Sequence, residues 1–214
     1  MLKVCVLSDL HGRLPLVPKC DVVVLAGDVA PDAKFHWHMT PTMRAEEQRT
    51  WFDVMYREWE DSVVQAPIIL AIPGNHDWCQ TLPDGLRTQW LIDQGVTIEG
   101  RTFYGMPWVP RMYGRWTFEA NREYRRDRCA DIPVGLDLLI THAPPHRILD
   151  RTMDNETVGC EEIRAALGRT VPKHHVFGHI HEGRRDGHDM QYGLTTCYNV
   201  AMWGKDWMPR VLEL

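Results

Sequence analysis

The sequence lacks any apolar run long enough to cross a membrane. Its longest runs, such as Val22–Ala26 and Ile68–Ile72, hold about five residues, whereas a membrane-spanning helix needs about 20. No charged leader or cleavage site precedes the strand predicted at the N-terminus, so we expect no secretory signal. These absences predict a protein that neither enters a membrane nor is exported.

Paired cysteines are also lacking. The six cysteines stand at wide, irregular intervals and form no C-x-x-C pair. This spacing argues against a structural zinc site and against a disulfide framework. It predicts free thiols in a reducing compartment, and we therefore expect a cytoplasmic protein.

Positive charge is in the minority. The 214 residues include 24 Lys and Arg against 29 Asp and Glu, which gives a formal net charge of −5. No basic field is expected to attract nucleic acid, and nothing in the composition indicates an oligomeric state. Hydrophobic residues make up 44% and charged residues 25% of the chain, values that are ordinary for a globular protein.

Continuous apolar runs predict buried strands in a layered α/β architecture. No linker or internal repeat divides the chain, so residues 1–214 are expected to form one domain. The five most evident strands are predicted at residues 3–8, 22–26, 68–72, 136–141 and 175–178. Two further segments of the tail, residues 195–200 and 209–214, are expected to pair with each other.

Three helices are predicted between these strands. Trp51, Met55 and Trp59 recur every four residues in the segment 42–65, which predicts one helix that buries this apolar stripe. A second helix is expected at residues 86–93, with Gly95 ending it, and a third at 161–167.

Each of the five strands ends in a loop that carries His, Asp or Asn. In open α/β sheets the carboxyl ends of the strands form the ligand-binding crevice. Five distant segments are therefore expected to converge on one edge. Their polar side chains are Asp9, His11, Asp28, Asn75, His76, Asp77, His142, His179 and His181.

This set of side chains has the composition of a metal site. It combines imidazole and carboxylate without thiolate, which suits zinc, iron or manganese, and the carboxylates could also hold magnesium. The ligands outnumber what one ion needs, which favours two ions that share a carboxylate. Two ions about 3.5–4 Å apart clamp the attacking and leaving oxygens of a displacement at phosphorus.

The motifs resemble those of calcineurin-like metallophosphoesterases and stand in the family order. They are Asp9-x-His11, Gly27-Asp28, Gly74-Asn75-His76-Asp77, Thr141-His142 and Gly178-His179-x-His181. Further segments resemble the small MPPED-type branch, whose members are relatives of the class III phosphodiesterases. These segments are Tyr104-Gly105-x-Pro107-Trp108, Thr141-His142-x-Pro144-Pro145, Val158-Gly159-Cys160 and residues 175–183.

The resemblance implies a four-layer α/β/β/α sandwich with two divalent ions. By motif, the first ion would be held by Asp9, His11 and His181. The second would be held by Asn75, His142 and His179, and Asp28 would bridge the two. Manganese is the first expectation, because it suits oxygen and imidazole ligands and related proteins are often active with it; iron, zinc, magnesium, nickel and cobalt are alternatives.

The resemblance also implies hydrolysis of a small phosphodiester, with cyclic nucleotides among the candidates. His76 would assist departure of the leaving group as a general acid or hydrogen-bond donor. A phosphomonoesterase with the same site is one alternative, and a metal-binding interaction scaffold is another. Protein phosphatases of the superfamily carry an Asp-Arg-Gly run after the second motif, and its absence after Asp28 argues against that activity.

Four further residues receive weaker predictions. Asp77 could orient His76 as part of the catalytic set, or it could support the loop backbone. Arg13 could reach a phosphate, Trp108 could stack on a ring of the substrate and His146 could line the site, although solvation or packing would explain each of them. Specificity is expected in residues 30–44 and 108–128.

Overall fold

The computed structural model of the chain describes residues 1–32, 39–187, 189–202 and 208–214, apart from the side chains of residues 184–186. Residues 33–38 of the segment 30–44, where specificity is expected, therefore lie outside the described residues. The strands are β1 (Lys3–Leu7), β2 (Val22–Ala26), β3 (Ile68–Ile72), β4 (Thr88–Trp90), β5 (Gln94–Ile98), β6 (Arg101–Met106), β7 (Val109–Pro110), β8 (Glu119–Ala120), β9 (Leu138–Thr141), β10 (His174–Phe177), β11 (Asp189–Tyr192), β12 (Thr195–Asn199) and β13 (Arg210–Glu213).

Most of these strands form two sheets. The first has the order β13-β1-β2-β3-β4, in which β1 to β4 run parallel and β13 pairs antiparallel with β1. The second has the order β11-β12-β10-β9-β6-β5, with four parallel inner strands and an antiparallel strand at each edge. Strands β7 and β8 form a separate short pair.

The helices are α1 (Pro41–Trp51), α2 (Arg57–Ser62), α3 (Arg122–Ala130) and α4 (Glu161–Thr170), with a π-helical turn at Phe52–Tyr56 and a 3₁₀ turn at His181–Asp186. Side chains cap two of them: the Thr40 side chain accepts from the Met43 N–H before α1, and that of Asn121 accepts from the Tyr124 N–H in α3. Within the described ranges, no helix has the length and apolar character that crossing a bilayer requires.

Three apolar clusters define four layers. The first lies between the sheets, where Val24 and Leu70 of one share a cluster with Ile140 and Val176 of the other. The second joins the outer face of the first sheet to the helical segment of α1 and α2. The third joins the outer face of the second sheet to α3 and α4. The predicted α/β/β/α sandwich is confirmed.

The apolar stripe predicted on the first helix was partly wrong. Trp59 is buried, but Met55 is 51% exposed and Trp51 is only half-buried. The side chains that face the sheet are Phe52 and Tyr56, which have no exposed surface. The row of Trp51, Met55 and Trp59 and the row of Phe52 and Tyr56 both have a four-residue spacing, so periodicity could not show which row is buried. The π-helical turn also changes which side of the helix faces the sheet.

Two other predictions of secondary structure were wrong. Residues 86–93 form no helix, because β4 pairs with β3 as the edge strand of the first sheet and the Leu91 N–H continues this pairing to Ala71 O. The tail strands β12 and β13 do not pair with each other, since they belong to different sheets. Their apolar patterns fit either sheet, so the pairing could not be predicted from sequence.

Candidate metal centre

The predicted ligands lie in loops at the carboxyl ends of β1, β2, β3, β9 and β10. Main-chain hydrogen bonds join neighbouring loops within each sheet: the Asp9 N–H donates to Gly27 O at 2.9 Å and the Gly178 N–H to His142 O at 3.1 Å. A further bond joins the two sheets, since the His179 N–H donates to the Asp9 carboxylate at 3.0 Å. The five distant segments therefore converge as expected.

One set of candidate ligands, which we call the outer group, consists of Asp9, His11 and His181. Their ligand atoms lie within 4.8 Å of one another. The nearest pair is His181 Nε2 and Asp9 Oδ1, at 3.1 Å. The carboxylate of Asp9 is buried, whereas the two imidazole side chains are each 20% exposed.

The second set, the inner group, consists of Asp28, Asn75, His142 and His179. The ligand atoms of Asp28, His142 and His179 lie within 4.8 Å of one another. Asn75 Oδ1 lies 3.1 Å from His142 Nε2. The side chain of His142 has no exposed surface.

Asp28 joins the two groups. Its Oδ2 lies 3.2 Å from His142 Nε2 and 3.9 Å from His11 Nε2. Its Oδ1 accepts a hydrogen bond from the His76 N–H at 2.7 Å. One carboxylate oxygen therefore faces an imidazole of each group, while the other fixes the loop that carries His76.

The donor atoms fit divalent cations. Two ligand atoms about 2.1 Å from one ion and at right angles lie roughly 3 Å apart, and the closest pairs in each group are separated by 3.1–3.2 Å. In addition, Nε2 of His11 is buried and has no hydrogen-bond partner among the described residues. A buried lone pair of this kind is available to a metal.

The electrostatics of the site also favour cations. Burial alone would lower the pKa of His11 and of His142, but the neighbouring carboxylates outweigh burial and raise each pKa to about 9. By contrast, burial followed by the charge of His142 lowers the pKa of His179 to about 3. The carboxylates therefore require positive charge nearby, and metal ions can supply it in place of protons.

Hydrogen bonds to Nδ1 select the tautomer of two imidazoles. His142 Nδ1 lies 2.9 Å from Ala26 O, a carbonyl that can only accept. His11 Nδ1 lies 2.9 Å from Asp32 Oδ1. In both rings Nδ1 therefore carries the hydrogen, and in the neutral form Nε2 presents its lone pair to the site.

His76 lies beside the outer group. Its Nδ1 is 2.6 Å from Asp32 Oδ1, and its ring centroid is 5.0 Å from that of His11. The ring of Trp116 packs against it with centroids 4.2 Å apart. Ligand atoms of His11, Asp32 and His76 also lie within 4.8 Å of one another, so Asp32 contacts a predicted ligand and the predicted acid at once.

Several predicted ligands have an uncommon backbone conformation. The φ angles of Asp9, His11, Asp28 and His179 lie between +46° and +68°. Non-glycine residues rarely adopt this left-handed region, although Asp and His tolerate it better than most. Residues held in this way concentrate at functional sites, where the surrounding structure compensates for the strain.

Close approach explains two of the motif glycines. A Cβ at Gly178 would overlap the carboxylate of Asp9, and one at Gly27 would overlap the ring of His142. Gly27 also has a φ of +100°. Both positions exclude larger residues because a predicted ligand lies directly against the main chain.

The contacts of Asp77 argue against a catalytic role. Its buried carboxylate accepts hydrogen bonds from the N–H groups of Val29, Ala30 and Gly74, at 2.7–3.1 Å. These bonds join the loop after β2 to the loop after β3. The alternative expectation, support of the loop backbone, therefore accounts for Asp77, and the residue that contacts His76 is Asp32.

The three predicted substrate-binding residues lie in different surroundings. Trp108 donates through Nε1 to Asp93 Oδ2 at 2.8 Å and packs against Phe118 and Tyr124, which indicates a packing role. The Nδ1 atom of His146 lies 3.7 Å from the Asp150 carboxylate. Arg13 is exposed in the loop after β1. Substrate contacts of these residues stay predictions.

Two residues of the site were missed from sequence. Asp32 follows Asp28 by four positions but belongs to no motif. Trp116 lies in the segment 108–128, which the sequence marked only as a whole. An acidic residue shortly after a predicted bridging aspartate is the one signal that could have indicated Asp32 as a partner for histidine.

Comparison with known proteins identifies similar chains. A family model described as calcineurin-like phosphoesterase matches residues 2–183. UPF0046 protein K07C11.7 of Caenorhabditis elegans is 31% identical over 227 aligned positions, which span 95% of this chain and 71% of the worm protein. Human metallophosphoesterase domain-containing protein 1 is 40% identical over 123 positions, which span 56% of this chain but only 36% of the human protein.

Solved structures share the fold at low sequence identity. One crystal structure matches with a TM-score of 0.69 and 16% identity, covering 92% of this chain and 89% of that one. TT1561 of Thermus thermophilus matches with a TM-score of 0.55 and 13% identity, over 92% and 88% of the two chains. At these identities the similarity establishes the architecture alone.

Proposed function

The chain belongs to the calcineurin-like phosphoesterase family, and from this premise we propose that it is a phosphodiesterase with a dinuclear metal centre. Membership supports a metal-dependent phosphoesterase; the diester preference and the second ion are our proposal. The observation that carries the proposal is the position of Asp28, whose Oδ2 faces an imidazole of the outer group and an imidazole of the inner group.

The two groups define which residues would hold the ions. The outer group would hold one and the inner group the other, with the carboxylate of Asp28 between them. The chemistry supplied there would be Lewis-acid activation of a phosphoryl oxygen and of water. We propose manganese as the metal, because the ligands are oxygen and imidazole without thiolate.

His76 would donate a proton to the leaving group. Burial lowers its pKa, but the contact with Asp32 and the charge of Asp28 outweigh burial and raise it. The raised pKa favours the protonated ring, the form that a general acid requires. With Nδ1 2.6 Å from the Asp32 carboxylate, Nε2 is the atom left to donate to the leaving oxygen.

The small phosphodiester substrate is proposed from the relatives. The match to a metallophosphoesterase domain-containing protein supports the predicted branch. The monoesterase alternative uses the same residues, and no separate observation favours it. A cytoplasmic location and a single domain over residues 1–214 stay predictions.

A substrate and metal panel tests the proposal. Metal-free protein would be supplied with manganese, magnesium, zinc, nickel, iron or cobalt and assayed with bis-p-nitrophenyl phosphate and with p-nitrophenyl phosphate. We expect turnover to require metal, to be highest with manganese and to favour the diester. Preference for the monoester would support the phosphomonoesterase alternative. Absence of metal-dependent turnover on any phosphoester would instead favour an interaction scaffold.

A further inference from the structure

Helix α1 buries one side chain, and that side chain is polar. Gln48 is 1% exposed, whereas the other residues of α1 are exposed or half-buried. A buried amide that met no partners would destabilise the fold. The position of Gln48 therefore depends on what its amide contacts.

The amide of Gln48 makes four hydrogen bonds. Nε2 donates to Pro31 O at 3.0 Å and to His76 O at 2.8 Å. Oε1 accepts from the N–H groups of Trp78 at 2.6 Å and of Cys79 at 3.2 Å. Both donor hydrogens and both acceptor positions of the amide are thus occupied.

These partners belong to two loops of the proposed active site. Pro31 lies between Asp28 and Asp32 in the loop after β2, while His76 and Trp78 lie in the loop after β3. Direct contacts between the same loops include those of Asp32 Oδ1 with His76 Nδ1 and of Asp28 Oδ1 with the His76 N–H, at 2.6 and 2.7 Å, besides the hydrogen bonds of Asp77 described above. Gln48 therefore binds the main chain of both loops, close to the residues that make these contacts.

Only an amide of this length matches the pattern. Two carbonyls require donors and two N–H groups require an acceptor, and Gln48 provides both from one planar group. A glutamate would keep the acceptor side and place a carboxylate oxygen against the two carbonyls. A leucine would fill similar space and leave all four main-chain groups without their partner.

We propose that Gln48 is a positioning residue that sets the spacing between the loop carrying Asp28 and Asp32 and the loop carrying His76. This inference rests on the proposed function, since it concerns how accurately His76 meets the leaving oxygen. Small displacements of a catalytic group lower the rate strongly. Loss of Gln48 should therefore act on kcat rather than on substrate binding.

The kinetic test compares two diesters. Diphenyl phosphate has a poorer leaving group than bis-p-nitrophenyl phosphate and depends more on proton donation. We expect Gln48→Glu and Gln48→Leu to lower kcat about ten- to a hundredfold on diphenyl phosphate and clearly less on the nitrophenyl ester, with KM within about twofold. The control is Glu47→Leu on the exposed neighbouring position, which should keep the wild-type kcat on both.

Amide hydrogen exchange provides a readout without turnover. In Gln48→Leu the amides of Trp78 and Cys79 should exchange about tenfold faster, whereas in Gln48→Glu they should stay protected because the acceptor remains. Wild-type kcat on both esters in both variants, or equal losses on the two esters, would overturn the proposal. If the wild-type protein turns over neither ester, the proposed function fails, and unchanged exchange in Gln48→Leu would separately overturn the tie between the loops.

Discussion

The outer and inner groups differ in how many of their imidazoles are fully buried: both imidazoles of the outer group are partly exposed, whereas the inner group has one that is partly exposed, His179, and one that is buried, His142. His142 of the inner group has no exposed surface, whereas His11 and His181 of the outer group are each 20% exposed. Water and substrate can reach the outer group more directly. An ion held there should exchange more readily than an ion in the inner group, where ligand motion is restricted by packing.

The groups also differ in what orients their imidazoles. The Nδ1 atom of His142 is held by the carbonyl of Ala26, a main-chain group that no substitution removes. The Nδ1 atom of His11 is held by Asp32, whose side chain is 55% exposed and also contacts His76. His142 of the inner group is therefore oriented by the fold, while His11 of the outer group shares its support with the proposed acid.

The largest effect should come from the residue that the two groups share. Asp28→Asn keeps the volume and the acceptor for the His76 N–H but removes the negative charge between the imidazoles. We expect the variant to bind no more than one equivalent of metal and to lose turnover to background. Metal analysis and the diester assay would measure both.

Asp77→Asn is the matched control for this loss, because Asp77 is also buried but serves the loop backbone. It should reduce stability more than it changes the number of bound metal ions. Two equivalents of tightly bound manganese in Asp28→Asn would show that the groups do not depend on a common carboxylate.

A smaller effect is expected at His76, which belongs to neither group. His76→Ala should lower kcat by about a hundredfold or more, because proton donation to the leaving group is lost. Both groups should keep their metal, and the loss should be greatest for diesters with poor leaving groups. Loss of metal in this variant would mean that His76 is a ligand, and an unchanged rate would exclude it as the acid.

Replacing Asp32 should weaken metal binding by the outer group without weakening metal binding by the inner group. Asp32→Asn should lower affinity for the outer ion by about tenfold, because loss of the hydrogen-bond partner of a metal-binding imidazole typically lowers metal affinity by at least that factor. The inner ion should be unaffected, since none of the described contacts of Asp32 reaches His142 or His179 and His142 is held by the main chain. Manganese titration would resolve the two affinities, and equal weakening of both ions would contradict the comparison.

Asp53→Asn is a suitable control for Asp32→Asn. Its side chain is 58% exposed, close to the 55% of Asp32, and it pairs with Arg57 on its own helical segment. Both metal affinities should match those of the wild-type protein.

The ligands could be predicted from sequence because their signals are local. Strands buried on both faces appear as continuous apolar runs, as in Val22–Ala26, and the residues directly after them must lie at the sheet edge. The three-residue edge strand Thr88–Trp90 gives no such run, which is why a helix was predicted there instead.

The residues that hold the ligands could not be predicted, because their contacts exist only in the folded chain. Gln48 resembles any polar residue of an amphipathic helix in the sequence, because the partners of its amide lie 17 to 31 positions away. The ring of Trp116 packs against that of His76, which lies 40 positions earlier in the sequence. Nothing in the intervening residues indicates this contact. Tertiary contacts of this kind are independent of motif and periodicity.

The smallest effect concerns Thr117, whose described hydrogen bonds reach the loop that carries Asn75 of the inner group. Its hydroxyl donates to Asn75 O at 2.8 Å, and its N–H donates to the same carbonyl at 3.2 Å. Thr117→Val deletes one of these bonds, worth about 1 kcal/mol, so affinity for the inner ion should fall about fivefold. The outer ion should be unchanged, and Thr117→Ser, which keeps the hydroxyl, should bind both ions normally. If Thr117→Val weakened the outer ion instead, the two groups would not be held independently, because no described hydrogen bond of Thr117 reaches the outer group.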